Sequence, residues 1–226
     1  SGNPLVKRDG NGLPIHGFLL RFSKWTEIVS DETSARATLD WSAHEDLMSL
    51  FPHPHHLEVG YELFEKRLRV TTTVTADGGS PVPVSFGWHP YFALGVDSMS
   101  KIRLEMPPLQ HVLLDDRCLP VRDADGSLSL QGPDTIDGVL GSRDFDDLYL
   151  RPDEADSRFM IEGGDGSLGL SFGQPWSCVQ IFHPRGSDFI AIEPMTAPGA
   201  ALSDDDDHPV LESGGTFRAA FEVSLS

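Results

Sequence analysis

Arg67-Leu68-Arg69-Val70-Thr71-Thr72-Thr73-Val74-Thr75-Ala76 alternates from end to end. Leu68, Val70, Val74 and Ala76 share one side with Thr72, while Arg67, Arg69, Thr71, Thr73 and Thr75 take the other. A period of two sets one face against a core and the other in water, as in an antiparallel strand. Three further stretches behave the same way. In 35–41, Ala35, Ala37, Leu39 and Trp41 interleave with Arg36, Thr38 and Asp40. In 57–63, Leu57, Val59, Tyr61 and Leu63 interleave with Glu58, Gly60 and Glu62. In 217–225, Phe217, Ala219, Phe221, Val223 and Leu225 stand against Arg218, Glu222 and Ser224.

Between such runs lie the turn signals Asp77-Gly78-Gly79, Asp125-Gly126, Gly163-Gly164-Asp165-Gly166 and Gly214-Gly215. Helical periodicity never extends beyond about two turns. Residues 42–50 are expected to form one short helix, with Ser42 capping Ala43–Leu50. There is no internal repeat and no linker-like stretch. The expectation is an all-β chain: residues 1–226 as a single domain, a large antiparallel β-sandwich.

The 226 residues carry 17 Lys+Arg against 35 Asp+Glu, a formal net charge of −18. So acidic a surface repels phosphate backbones and anionic lipid, which argues against nucleic acid and membrane partners. No apolar run approaches the length of a membrane span, and no charged-then-apolar leader is visible. Cys118 and Cys178 are too few for a disulfide framework, and free thiols fit a cytoplasmic location. Ser203-Asp204-Asp205-Asp206-Asp207 reads as a solvated loop, because calcium loops space their ligands with glycine and a distal Glu.

Four positions stand out for chemistry. His16 in Leu13-Pro14-Ile15-His16-Gly17-Phe18 and His89 in Phe86-Gly87-Trp88-His89-Pro90-Tyr91-Phe92 are imidazoles set among apolar groups. Each is either a hydrogen-bonded core residue or a titrating group in a hydrophobic pocket. Glu193, in Ile190-Ala191-Ile192-Glu193-Pro194-Met195-Thr196-Ala197-Pro198, ends an apolar run. It is either a strand-end carboxylate reaching solvent or a base tuned by partial burial. Asp146, in Asp144-Phe145-Asp146-Asp147, is turn chemistry or an acceptor for sugar hydroxyls. The triplet in His53-Pro54-His55-His56 reads as a surface loop, since no cysteine or acidic ligand stands at motif spacing.

Taken in order, His16-Gly17 followed by Trp25, then Gly87-Trp88-His89-Pro90-Tyr91-Phe92, Phe145-Asp146-Asp147 and Ile192-Glu193-Pro194-Met195-Thr196-Ala197-Pro198, the chain resembles the aldose 1-epimerase (galactose mutarotase) family from about residue 12 onward. The resemblance implies a large antiparallel supersandwich, in agreement with the alternation. It also implies interconversion of the α and β anomers of a free aldohexose such as glucose or galactose, with no metal and no redox cofactor. By motif, Glu193 matches the general base on the C1 hydroxyl and His89 the general acid at the ring oxygen. His16 matches the second histidine, which binds near those oxygens, and Asp146 the carboxylate that holds sugar hydroxyls. Gln180, in Val179-Gln180-Ile181, matches a polar strand position before the base. Trp88 is expected to wall the sugar's apolar face, with Trp25, Tyr91 and Phe145 as further candidates.

Three departures accompany the resemblance. Family members carry an arginine upstream of the His-Gly segment; here only Lys7 and Arg8 precede His16, outside that context. The chain also starts where a family member would already have several strands behind it, so N-terminal strands are expected to be missing from it. Pro198-Gly199-Ala200-Ala201-Leu202 differs from the Asn- or Asp-containing version often seen, which bears on substrate range. Two rival readings share the fold. A hexose-6-phosphate 1-epimerase would need a basic cluster, for which Arg21, Lys24 and Arg185 are candidates. A non-catalytic carbohydrate-binding domain would keep the aromatics and lose the acid–base pair.

Overall fold

A computed structural model describes residues 3–94, 101–152, 156–164, 166–203 and 208–226. The acidic run Asp204–Asp207 lies outside the described residues. The strands, in chain order, are β1 (Glu27–Ser30), β2 (Ser34–Asp40), β3 (His55–Phe64), β4 (Arg67–Ala76), β5 (Val82–Pro83), β6 (Tyr91–Phe92), β7 (Arg103–Val112) and β8 (Leu130–Val139). They continue with β9 (Phe145–Leu150), β10 (Ser157–Gly163), β11 (Gly166–Phe172), β12 (Cys178–His183), β13 (Ile190–Met195), β14 (Val210–Leu211) and β15 (Thr216–Leu225). Thirteen of them form one antiparallel sheet in the order β1-β2-β3-β4-β15-β11-β10-β7-β9-β12-β13-β6, with β8 beside β7. β5 and β14 form a separate two-stranded sheet.

The alternating decamer Arg67–Ala76 is β4, with the bounds its pattern implies. Its apolar side meets Val59 of β3 and Phe221 and Ala219 of β15 in register. Val70, Ala219 and Phe221 from this half of the sheet pack in one cluster with Val179, Ile181, Ile190 and Ile192 from β12 and β13. The sheet therefore curls over so that its two halves enclose a common core, which is how a single hydrogen-bonded sheet makes a sandwich. Trp176 is fully buried at the centre of this core, with its indole N–H donated to the Ala220 carbonyl at 2.7 Å. Burying so large a side chain without orphaning its donor adds several kcal/mol of apolar transfer.

Two local expectations need correction. Residues 42–50 form not one helix but a 3-10 turn, Trp41–Ala43, followed by α1 (Glu45–Met48). Ser42 is not the cap: the Asp40 carboxylate accepts from the Ala43 amide, and His44 breaks the path with an extended backbone. The His53–His56 stretch is not wholly a loop, because β3 begins at His55. His55 is buried and stacked on Trp41, with ring centroids 4.7 Å apart. Desolvation there pushes its pKa down, so it behaves as a neutral core aromatic.

Cys118 is exposed and Cys178 buried, both as free thiols. Among the described residues no helix is long and apolar enough to cross a membrane.

Candidate active site

Strands β12 and β13 pair so that Gln180 stands opposite Glu193, while β12 and β9 pair so that Phe182 stands opposite Asp146. Cross-strand partners point to one face, so the register alone brings Glu193, Gln180 and Asp146 to the same side of the sheet. The intervening residues Val179, Ile181, Ile190 and Ile192 turn the other way into the core. Gln180 Nε2 donates to Asp146 Oδ1 at 2.8 Å, which fixes both groups.

His89 arrives from a different segment. Thr196 N donates to Phe86 O at 2.9 Å, Phe86 N to Thr196 Oγ1 at 3.0 Å, and Trp88 N to Pro194 O at 3.1 Å. Gly87 makes the close approach, for a Cβ there would lie 2.7 Å from Met195 Cγ and 3.2 Å from Pro194 O. This strip sets His89 Nε2 3.2 Å from Glu193 Oε1. The side chains are 26% and 12% exposed, so the pair is shielded but reachable.

His16 is delivered by the N-terminal hairpin, closed by hydrogen bonds from Asp9 N to Leu13 O and from Ile15 N to Lys7 O. It sits at φ 63°, in the left-handed region that a non-glycine residue adopts only under tertiary constraint. Its ring centroid is 5.3 Å from that of His89.

The electrostatics follow from this crowding. Burial, helped by the charge of Asp146, pushes the Glu193 carboxyl up to about 8. His89 is pushed below the ordinary imidazole value by burial first, then by His16, with a lesser push from Lys7. His16 is lowered by burial and by Lys7. Asp147, on the opposite face from Asp146, pairs with His111 at 3.2 Å and carries a pKa raised chiefly by burial.

Of the six residues read from the sequence, the structure gathers Glu193, His89, His16, Asp146 and Gln180. Trp88 does not join them. It alternates with His89 and so points into the core, where its indole N–H donates to Thr72 Oγ1 at 2.9 Å and its ring meets Tyr61 and Phe221 edge-on. Phe145 is likewise buried in the core, and Trp25 packs in a second apolar cluster with Leu39, Trp41 and Val74. Tyr91 is the aromatic candidate that reaches the site, stacked on His89.

Two residues escaped the sequence reading. Cys118 Sγ lies 4.0 Å from Asp146 Oδ2, and Lys7 acts electrostatically on both histidines. Neither sits in a motif, so only the meeting of separate hairpins reveals them. The same holds for a set that could hold a metal ion elsewhere: Asp40, His56 and Asp77 present ligand atoms within 4.8 Å of one another, gathered by the β2–β3–β4 register rather than by spacing along the chain. His56 already pairs with Asp77 there at 2.9 Å.

Solved structures with this fold carry galactose mutarotase descriptions. A galactose mutarotase related enzyme from Lactobacillus acidophilus superposes with a TM-score of 0.73 at 17% identity, covering 92% of this chain and 73% of that one. A galactose mutarotase-like protein from Clostridium acetobutylicum gives 0.71 at 18% identity, with 92% and 68% covered. Another from Lactobacillus casei gives 0.67 at 20% identity, with 88% and 72% covered. No curated protein matches the sequence. The sequence pattern of the aldose 1-epimerase family matches residues 4–224, and the chain belongs to that family.

Proposed function

We propose that this protein is an aldose 1-epimerase acting on free aldohexoses, with Glu193 as base and His89 as acid. The observation that carries the reading is the 3.2 Å approach of His89 Nε2 to Glu193 Oε1 beside the Asp146–Gln180 pair. Ring opening takes one proton from O1 and delivers one to O5, so a base and an acid must serve the same edge of the sugar.

Ionised Glu193 takes the proton of the C1 hydroxyl. The C1–O5 bond breaks, its electron pair passes to O5, and O5 takes the proton of His89. The product is an open aldehyde, C1=O1. Rotation about C1–C2 turns the other carbonyl face to O5, and the two groups exchange roles to close the ring. Their displaced pKa values suit this, since neither group is locked in one protonation state. His16, against the His89 ring, borders the position of the reacting oxygens. Asp146 and Gln180 supply an acceptor and a donor for the remaining hydroxyls.

Free rather than phosphorylated sugars are supported by the cations. Lys24 pairs with Asp46 at 4.0 Å and Arg185 with Asp144 at 3.6 Å, so two of the three candidates for a phosphate cluster already face carboxylates. Polarimetry on freshly dissolved α-D-glucose and α-D-galactose, with glucose 6-phosphate alongside, tests the reading. Mutarotation well above the buffer rate on the free sugars is expected. Buffer-rate decay on both would leave a non-catalytic sugar-binding domain, and acceleration confined to the phosphate ester would reassign the substrate.

A further inference from the structure

The contacts around His89 assign a positioning role to Tyr91, and this rests on the acid role proposed above for His89. A working imidazole is commonly oriented from behind, its second ring nitrogen hydrogen-bonded to a carboxylate or carbonyl that fixes tautomer and tilt. Among the described residues no other residue gives His89 that device: its Nδ1 is buried, with only the backbone of His89 itself against the ring. Within the described residues, the neighbours that hold the ring act on its faces or at Nε2.

Tyr91 does both. Its ring lies 4.6 Å from the His89 ring at an interplanar angle of 15°, and its hydroxyl is 3.4 Å from Nε2. The sequence explains the geometry. Pro90 keeps His89 extended, so residues 89 and 91 project to the same side. Tyr91 is also held from outside: it pairs with Ala191, two residues before Glu193, and its ring meets Phe189 edge-on at 4.8 Å. The tyrosine is thus a plate fastened to the strand that carries the base.

Its hydroxyl also matches the chemistry. A phenol donates to Nε2 when that nitrogen bears a lone pair, and accepts when it bears a proton. Glu193 occupies the same nitrogen in the free protein. When a sugar oxygen takes the place of the carboxylate, Tyr91 keeps its ring against the imidazole face, with its hydroxyl at the edge of Nε2 rather than in the position of the reacting oxygen. Without the ring, the imidazole can swing about its side-chain bonds, and misplacement by an ångström costs about a hundredfold in rate.

Two variants separate the contributions. Tyr91→Leu removes plate and hydroxyl; Tyr91→Phe keeps the plate. For each, kcat and KM are measured as functions of pH, and the His89 ring is titrated by NMR without sugar. Tyr91→Leu is expected to lower kcat about 10- to 100-fold with KM little changed. Tyr91→Phe should restore kcat to within a few-fold and move the His89 titration. Wild-type kcat and His89 titration in Tyr91→Leu, or equal losses in both variants, would overturn the plate. If the wild type shows no epimerase activity, the NMR titration still decides whether Tyr91 governs His89. Tyr91 is 56% exposed, so neither change opens the core.

Discussion

His89 Nε2 stands 3.2 Å from Glu193 Oε1, so the proposed acid and base meet directly. The carboxyl is raised to about 8 and the imidazole lowered below 6.5. Between these values the pair holds a single proton, resting on Glu193. Its transfer from Glu193 to His89 would give the carboxylate and imidazolium that the proposed reaction uses. Below the lower value both groups are protonated and no base remains. Above the upper value both are deprotonated and the acid proton is gone. A bell-shaped kcat/KM profile is expected, with its alkaline limb near pH 8 and its acid limb below 6.5, both belonging to the coupled pair. Initial rates by polarimetry from pH 5 to 10, corrected for buffer catalysis, would check it. A rate rising steadily through pH 9 would contradict the shared-proton picture.

Glu193→Gln removes the base but keeps the shape. Its kcat should fall about 10²- to 10⁴-fold. Its stability should move the other way. The carboxyl titrates at 4.5 when unfolded and at about 8 when folded, so the native state binds the extra proton. That contribution is complete below 4.5 and is lost as pH rises to about 8; the neutral amide escapes the loss. At roughly 1.4 kcal/mol per pH unit the difference grows to a few kcal/mol by pH 9. Thermal melts at pH 5 and pH 9 should show the variant gaining on wild type at the higher pH.

Much of this was legible in the sequence. β4 and β15 could be read almost to the residue because a half-buried strand writes its two environments into alternate positions. Glu193 was visible because a carboxylate rarely follows an apolar run, although β13 continues past it to Met195, and His89 because it interrupts an aromatic run. Trp88 misled because period two gives a residue's side but not which side is the site: His89 faces the base, so its neighbour faces the core. His55 misled because polarity along the chain says nothing of the tryptophan that covers it. The Cys118–Asp146 and Lys7–His89 relationships depend on where short hairpins dock, and no local pattern encodes that.

In the proposed reaction Asp146 serves both binding and ionisation. Its carboxylate accepts from Gln180 and stands near enough to Glu193 to raise the latter's pKa. Asp146→Asn removes a charged acceptor for sugar hydroxyls, which should raise KM about tenfold or more. It also removes the repulsion that disfavours ionised Glu193, so the alkaline limb of the kcat/KM profile should move to lower pH. A raised KM with an unmoved limb would mean that burial alone sets the Glu193 pKa.

The most distant control on the pair is Gly87. Its missing side chain lets the Phe86–Trp88 strip lie against Pro194 and Met195, and that strip carries His89. In Gly87→Ala the new methyl meets Met195 Cγ at 2.7 Å and the Pro194 carbonyl at 3.2 Å. The thioether chain can yield in part, but the carbonyl belongs to the residue after Glu193 and accepts from Trp88, so the two backbones must separate. The overpacking should cost about 1–3 kcal/mol in a denaturant melt. A displacement of a few tenths of an ångström there also carries His89 away from Glu193, where a full ångström between acid and base is worth about a hundredfold. The expected result is a kcat reduced at least tenfold at temperatures well below the variant's melting point, with KM changed far less. A variant that loses stability but keeps wild-type kcat would show that the His89–Glu193 distance is held by something other than this strip.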